Sequence, residues 1–155
     1  MKLILTLMLT LSLAKPAYCQ PKNNLEGFIL KNYKPTKEQL ASCEWQFALI
    51  KLHIDRQGKI VDYESVNGVP DEVMNAFKFL LGYKVLRSEP ANSKLLFYFS
   101  VNNTETCNPK PGDNQHLPND ALDEISRRIN SEREKDKKMA VYPWPIIFKI
   151  FKQIQ

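Results

Sequence analysis

Between Trp45 and Val101 the sequence alternates apolar and polar residues in three separate runs, and only a β-sheet uses all three. In the first, Trp45 to Ile54, Phe47 and Leu49 fall on one face and Ile50, Leu52 and Ile54 on the other. Asp55-Arg56-Gln57-Gly58 interrupts it. An Asp at the head of such a turn bonds its own backbone, and the Gly supplies a positive φ, so the segment predicts a hairpin with a bulge. Lys59 to Val66 returns as the second strand and Asn67-Gly68-Val69-Pro70 ends it. In the third run, Lys94 to Val101, Leu95, Phe97, Phe99 and Val101 point one way and Leu96, Tyr98 and Ser100 the other.

Between the second and third runs the period changes. Val73, Ala76, Phe77, Leu80 and Leu81 fall at i, i+3, i+4, i+7 and i+8, one apolar stripe of a helix opened by Asp71 after Pro70 and stopped at Gly82. The order is strand, strand, helix, strand. A hairpin makes the first two strands antiparallel, and a helical crossover makes the third parallel to the second. The third strand therefore pairs antiparallel with the first. The expected fold is α+β: a three-stranded antiparallel sheet in the order 2-1-3, one main amphipathic helix in ββαβ order, and a C-terminal helical extension. Ahead of the block, Thr36 is a candidate N-cap with Gln39 as its capping-box partner.

The ends of the chain read differently. Lys2, the apolar run Leu3 to Ala14, Pro16 and then Ala17-Tyr18-Cys19 have the layout of a secretory signal peptide over residues 1–19, cleaved after Cys19 to leave Gln20 first. The rival reading is a lipoprotein with Cys19 as its modified N-terminus; Tyr18 is larger than a lipobox accepts. Export predicts a periplasmic or secreted protein. Loss of Lys2 and Lys15 lowers the net charge from +5 to +3, which does not point to a nucleic-acid partner. Two cysteines remain, and an even pair in an oxidising compartment is a candidate disulfide. Cys43 lies just before the first strand and Cys107 just beyond the third, and in the order 2-1-3 those ends adjoin. A Cys43–Cys107 bond is the expectation.

The domain of residues 20–107 is followed by a polar, Pro-rich linker at 108–118 and by residues 119–155, a charged helix and an apolar tail. That helix, capped by Asn119 or Asp120 and running to about Lys138, has a thin stripe of Leu122, Ile125 and Ile129; past Asn130 it is nearly all charge and reads as solvated. From Met139 to Gln155 the chain is at its most apolar outside the leader. One reading packs Trp144, Ile147, Phe151 and Ile154 onto the open face of the sheet. The other presents Tyr142, Trp144, Ile147, Phe148 and Phe151 as an interaction surface for a partner, or, with Lys149 and Lys152, for peripheral membrane contact.

The residues from about 33 to 101 resemble the C-terminal domain of the TonB family. The match rests on Pro35 before a short helix, on Ile54-Asp55-Arg56-Gln57-Gly58-Lys59-Ile60 at the first hairpin, on the helix from Asp71 and on the strand from Leu95 to Val101. Where the family has a Gly before the first strand, this chain has Ser42-Cys43-Glu44-Trp45. The long Pro-rich segment and membrane anchor that deliver energy coupling in TonB itself are not recognised here. The resemblance implies a fold that offers a sheet edge to an extended peptide.

Chemistry is sparse. His53 and His116 have no second ligand at metal spacing, and Cys-x-x-Cys does not occur, so no metal or other cofactor is expected. A Cys107/His116 nucleophilic pair competes with the disulfide for Cys107. Asp62 and Glu64 share a strand face, but without an apolar cleft they read as solvated carboxylates rather than an acid–base pair. No Gly-rich phosphate loop and no Gly-x-Ser-x-Gly elbow is present. The expected function is a non-enzymatic envelope module that binds a protein or peptide through a sheet edge. The alternative is a secreted enzyme or small-ligand-binding protein with an unrecognised site.

Overall fold

A computed structural model describes residues 25–41, 46–85, 93–103 and 118–150. The leader, the two cysteines Cys43 and Cys107, His116, residues 108–117 of the linker and the last five residues lie outside the described residues, as do the expectations that rest on them; the last linker residue, Pro118, opens a helix.

Helix α1 (Leu25–Asn32) leads into α2 (Lys37–Ala41), which starts on the expected capping box. The Gln39 N–H donates to Thr36 Oγ1 at 3.2 Å and the Thr36 N–H to Gln39 Oε1 at 3.0 Å. Strand β1 (Gln46–Ile54) and β2 (Ile60–Ser65) form the hairpin. At its turn the Asp55 carboxylate accepts from the Gln57 and Lys59 N–H groups, both at 2.8 Å, and Gly58 takes φ +80°. The register shifts between His53 and Ile54, which is the bulge. Strand β3 (Lys94–Asn102) pairs antiparallel with β1 from Gln46 opposite Val101 to His53 opposite Lys94.

The three antiparallel strands thus stand in the expected order, but the sheet does not end there. Helix α4 (Pro118–Lys135) is followed by two further strands, β4 (Ala140–Val141) and β5 (Ile146–Lys149). Both lie parallel to β3 on its other side, so the sheet is mixed and has five strands among the described residues. A helix between β3 and β4 is the connection that parallel pairing requires. The expected three-stranded, purely antiparallel sheet is corrected accordingly. The helical extension is present as α4, and the apolar tail that follows it is extended and joins the sheet.

The expected helix from Asp71 is also shorter. Helix α3 covers Asp71–Asn75, and a 3-10 turn follows at Lys78–Leu80. The reason lies in what the segment must reach. The Gly82 N–H donates to the Ile60 carbonyl at 2.8 Å, the Ile60 N–H to Tyr83 at 3.0 Å, and the Val85 N–H to Gly58 at 2.8 Å. Docking on the β2 edge tightens the last turns to i→i−3 bonds, as at Leu80 to Phe77 and Leu81 to Lys78. Phe77 and Leu80 stay fully buried, while Leu81 swings out and is 49% exposed.

The alternation of β1 and β3 sorts their side chains onto two faces. On one, Ala48, Ile50, Leu52 and Ile54 meet Leu95, Phe97, Phe99 and Val101, covered by α1 and by the segment of Phe77 and Leu80. Phe77 meets Phe99 edge-on at 5.0 Å, and Tyr33 packs on both rings. On the other, Leu49 and Leu96 pack with Ile125 of α4 and with Met139.

Candidate functional site

The tail forms one edge of the sheet. Residues 140–150 run along β3 in two pieces: Ala140 and Val141 align with Leu95 and Leu96, then Ile146 to Lys149 align with Phe99 to Asn102. The Tyr142 N–H donates to the Leu96 carbonyl at 2.8 Å, and the Ile150 N–H to that of Asn102 at 2.9 Å. Between them Pro143-Trp144-Pro145 leaves the ladder, because neither proline has an N–H to donate. Ile146 is fully buried beside Phe99, and Phe148 and Ile150 pack against the same core; the Phe148 ring meets Tyr33 at 5.4 Å.

Of the residues read as an interaction surface, this geometry separates two groups. Trp144 and Ile147 face out, 67% and 43% exposed. Tyr142 and Phe148 are half-buried parts of the core, and Phe151 lies outside the described residues. The tail packs on its own domain through Ile146, Phe148 and Ile150. The reading that buried Trp144 and Ile147 on a sheet face is corrected. Burial follows the period-two alternation of β5, which places every second residue on the core face.

The opposite edge of the sheet is partly closed as well. Gly82 and Tyr83 hold Ile60, and the Asp62 carboxylate accepts from the Tyr63 N–H at 2.8 Å. A carboxylate spent on an edge N–H blunts that edge against strand addition.

A second cluster joins the sheet to α4. Lys51 of β1, with its side chain 16% exposed, places Nζ 2.6 Å from Glu64 Oε1 of β2 and 2.8 Å from Glu132 Oε2 of α4. Glu132, 9% exposed at its side chain, also accepts from Lys135 at 2.6 Å. Lys94 pairs with Asp136 at 2.9 Å, and the Arg128 guanidinium donates to the Val66 carbonyl at 3.3 Å. His53 Nε2 lies 3.5 Å from Glu64 Oε1. Burial disfavours the Lys51 charge, but hydrogen bonds to Glu132 and Glu64 outweigh it and hold its pKa raised. The Glu132 carboxyl is held low by Lys135 and then Lys51, that of Glu64 by Lys51, and that of Asp136 by Lys94. The far half of α4, read from sequence as solvated, is therefore clamped onto the sheet. No local pattern marks Lys51 and Glu132 as partners, because 81 residues separate them. Burial pushes the phenols of Tyr33 and Tyr98 up to about 12, offset in part at Tyr33 by the hydrogen bond its hydroxyl donates to Gln39 Oε1.

Among the described residues no group of His, Cys, Asp and Glu side chains is placed to hold a metal ion, and no helix is long and apolar enough to cross a membrane. Compared with known protein families, with curated proteins and with solved structures, the chain matches none.

Proposed function

We propose that this chain is an exported, non-enzymatic interaction module that receives an extended protein segment along the outer edge of β3, where its own residues 140–150 lie. One observation carries the reading: the tail is seated on β3 as a bound peptide would be, by backbone ladder bonds and alternate side chains. Strand addition works in this way, with main-chain hydrogen bonds supplying affinity and side-chain pockets supplying specificity. The occupant is also the least secured strand of the sheet. Its two paired pieces are two and four residues long, and both are parallel, against nine-residue β1 and β3 in antiparallel register. Short edge strands open at low free energy, so exchange of the tail for another segment is feasible without unfolding the core.

The partner segment is extended and carries apolar residues two positions apart, to fill the places of Ile146 and Phe148. The resemblance to TonB C-terminal domains and the leader-like N-terminus support an envelope role. The charged side chains of the β1–β2 face are engaged with one another, which favours binding over acid–base chemistry.

Fluorescence anisotropy of a labelled synthetic peptide spanning residues 140–155 tests the proposal. The peptide binds the full chain. It binds an Ile146→Asp variant at least about tenfold more tightly, because the competing tail is expelled and the competent fraction rises. Circular dichroism checks that the variant keeps its sheet. No binding to either protein refutes an exchangeable edge.

A further inference from the structure

Trp144 is the most exposed of the large apolar side chains among the described residues, yet it is not on a loose end. Its loop is fixed at one side by the Tyr142 N–H on the Leu96 carbonyl and at the other by the fully buried Ile146. Pro143 and Pro145, both exposed, restrict the backbone on either side of it. A rigid loop that presents an indole loses little conformational freedom when the indole is taken up. Ile147 adds a second exposed apolar group three residues on.

The charge carried by residues 137–150 has one sign. Lys137 and Lys138 sit in the turn before β4, Lys149 closes β5, and all three are exposed. From 137 to 150 the chain has no Asp or Glu. Of the acids nearby, Asp136 is engaged by Lys94, and Glu26 of α1 faces the Tyr142 phenol. The aligned residues of β3, Leu95 to Asn102, make this edge about 23 Å long at the usual rise of a strand.

We infer that the β4–β5 edge is a membrane-contact surface, with Trp144 as the interfacial anchor and Lys137, Lys138 and Lys149 facing the headgroups of an anionic lipid bilayer. Tryptophan partitions to the headgroup level, where its ring is apolar and its N–H stays wet. Lysines spread along an edge match the diffuse negative potential of an anionic leaflet. The inference is independent of tail exchange, since it uses the outward side of the tail rather than the side facing β3.

The chain has two tryptophans, so a Trp45→Phe background makes emission specific to residue 144. Vesicles of equal phosphatidylglycerol and phosphatidylcholine shift that emission to the blue, and pure phosphatidylcholine vesicles do not. In cosedimentation of the full chain, Trp144→Ala lowers association at least about tenfold, the equivalent of burying only part of an indole. Lys137→Glu with Lys138→Glu lowers it by a similar factor and flattens its salt dependence. Three results overturn the inference: emission unmoved by anionic vesicles, an equal shift with neutral ones, or a shift seen only with the 140–155 peptide, which assigns the loop to a protein contact. Failure here leaves peptide exchange at β3 standing, and failure of exchange leaves the vesicle result standing.

Discussion

Replacing Lys51 with Met removes the cation on which two carboxylates converge. Glu132 then keeps Lys135, whose side chain is 68% exposed and shielded by water, while its own side chain is only 9% exposed. Glu64, at 51% exposed, is rehydrated at little cost. Removing one partner of a fully buried pair costs about 3–5 kcal/mol, and an exposed pair is worth about 0–1. Lys51→Met falls between them, at about 2 kcal/mol, or roughly 4–8 °C in Tm for a chain of this size. Glu132→Leu added to it removes the stranded charge and recovers most of the loss, because an apolar pair replaces a buried ion pair at nearly no cost. The sign with pH follows from the carboxyls. Those of Glu132 and Glu64 are held below their ordinary 4.5, so their contribution is present above that value and lost as pH falls through the lowered ones. The gap between wild type and Lys51→Met therefore narrows below pH 4.5. Thermal and urea denaturation at neutral pH and below pH 3 measure all four quantities. A single variant as stable as wild type, or a double variant no better than the single, refutes the clamp.

Other substitutions separate packing from surface. Ile146→Ala costs about 2–4 kcal/mol because the side chain is fully buried, whereas Ile147→Ala, 43% exposed, stays within about 0.5 kcal/mol in the same melts. Gln39→Ala removes the reciprocal cap on Thr36 and the acceptor of the Tyr33 hydroxyl at 2.7 Å, and lowers urea stability by about 1–2 kcal/mol. Thiol alkylation of non-reduced protein finds Cys43 and Cys107 blocked; two free thiols refute the bond. The strand ends it needs do adjoin, since Gln46 stands opposite Val101.

What the sequence made legible was local. The Asp55–Gly58 turn, the capping box of Thr36 and Gln39, and the two faces of β1 and β3 each rest on residues a few positions apart, and each is present. Strand order followed from handedness and hairpin geometry, again from short-range signals. The tail was harder. Tyr142, Trp144, Ile146, Phe148 and Ile150 share one period-two phase, but Ile147 and Phe151 fall in the other and Trp144 is exposed in spite of its phase, so the run has no single period until Pro145 is seen to restart the strand. Leu81 misled in the opposite sense, because its helical spacing is overridden by the bonds that tie Gly82 and Tyr83 to Ile60. Charge was the least legible. Nothing near Glu132 distinguishes it from Glu134, and its burial appears only once Lys51 stands opposite it.

Residue-resolved amide exchange, by NMR of the labelled full chain with unlabelled 140–155 peptide, tests the seating and exchange of the tail together. In the free protein the amides of Tyr142 and Ile150, which donate to Leu96 and Asn102, are protected. At peptide saturation they exchange freely while β1 and β3 remain protected. Fast exchange of Tyr142 and Ile150 in the free protein contradicts the docked tail, and protection that survives saturating peptide contradicts an edge that accepts a partner.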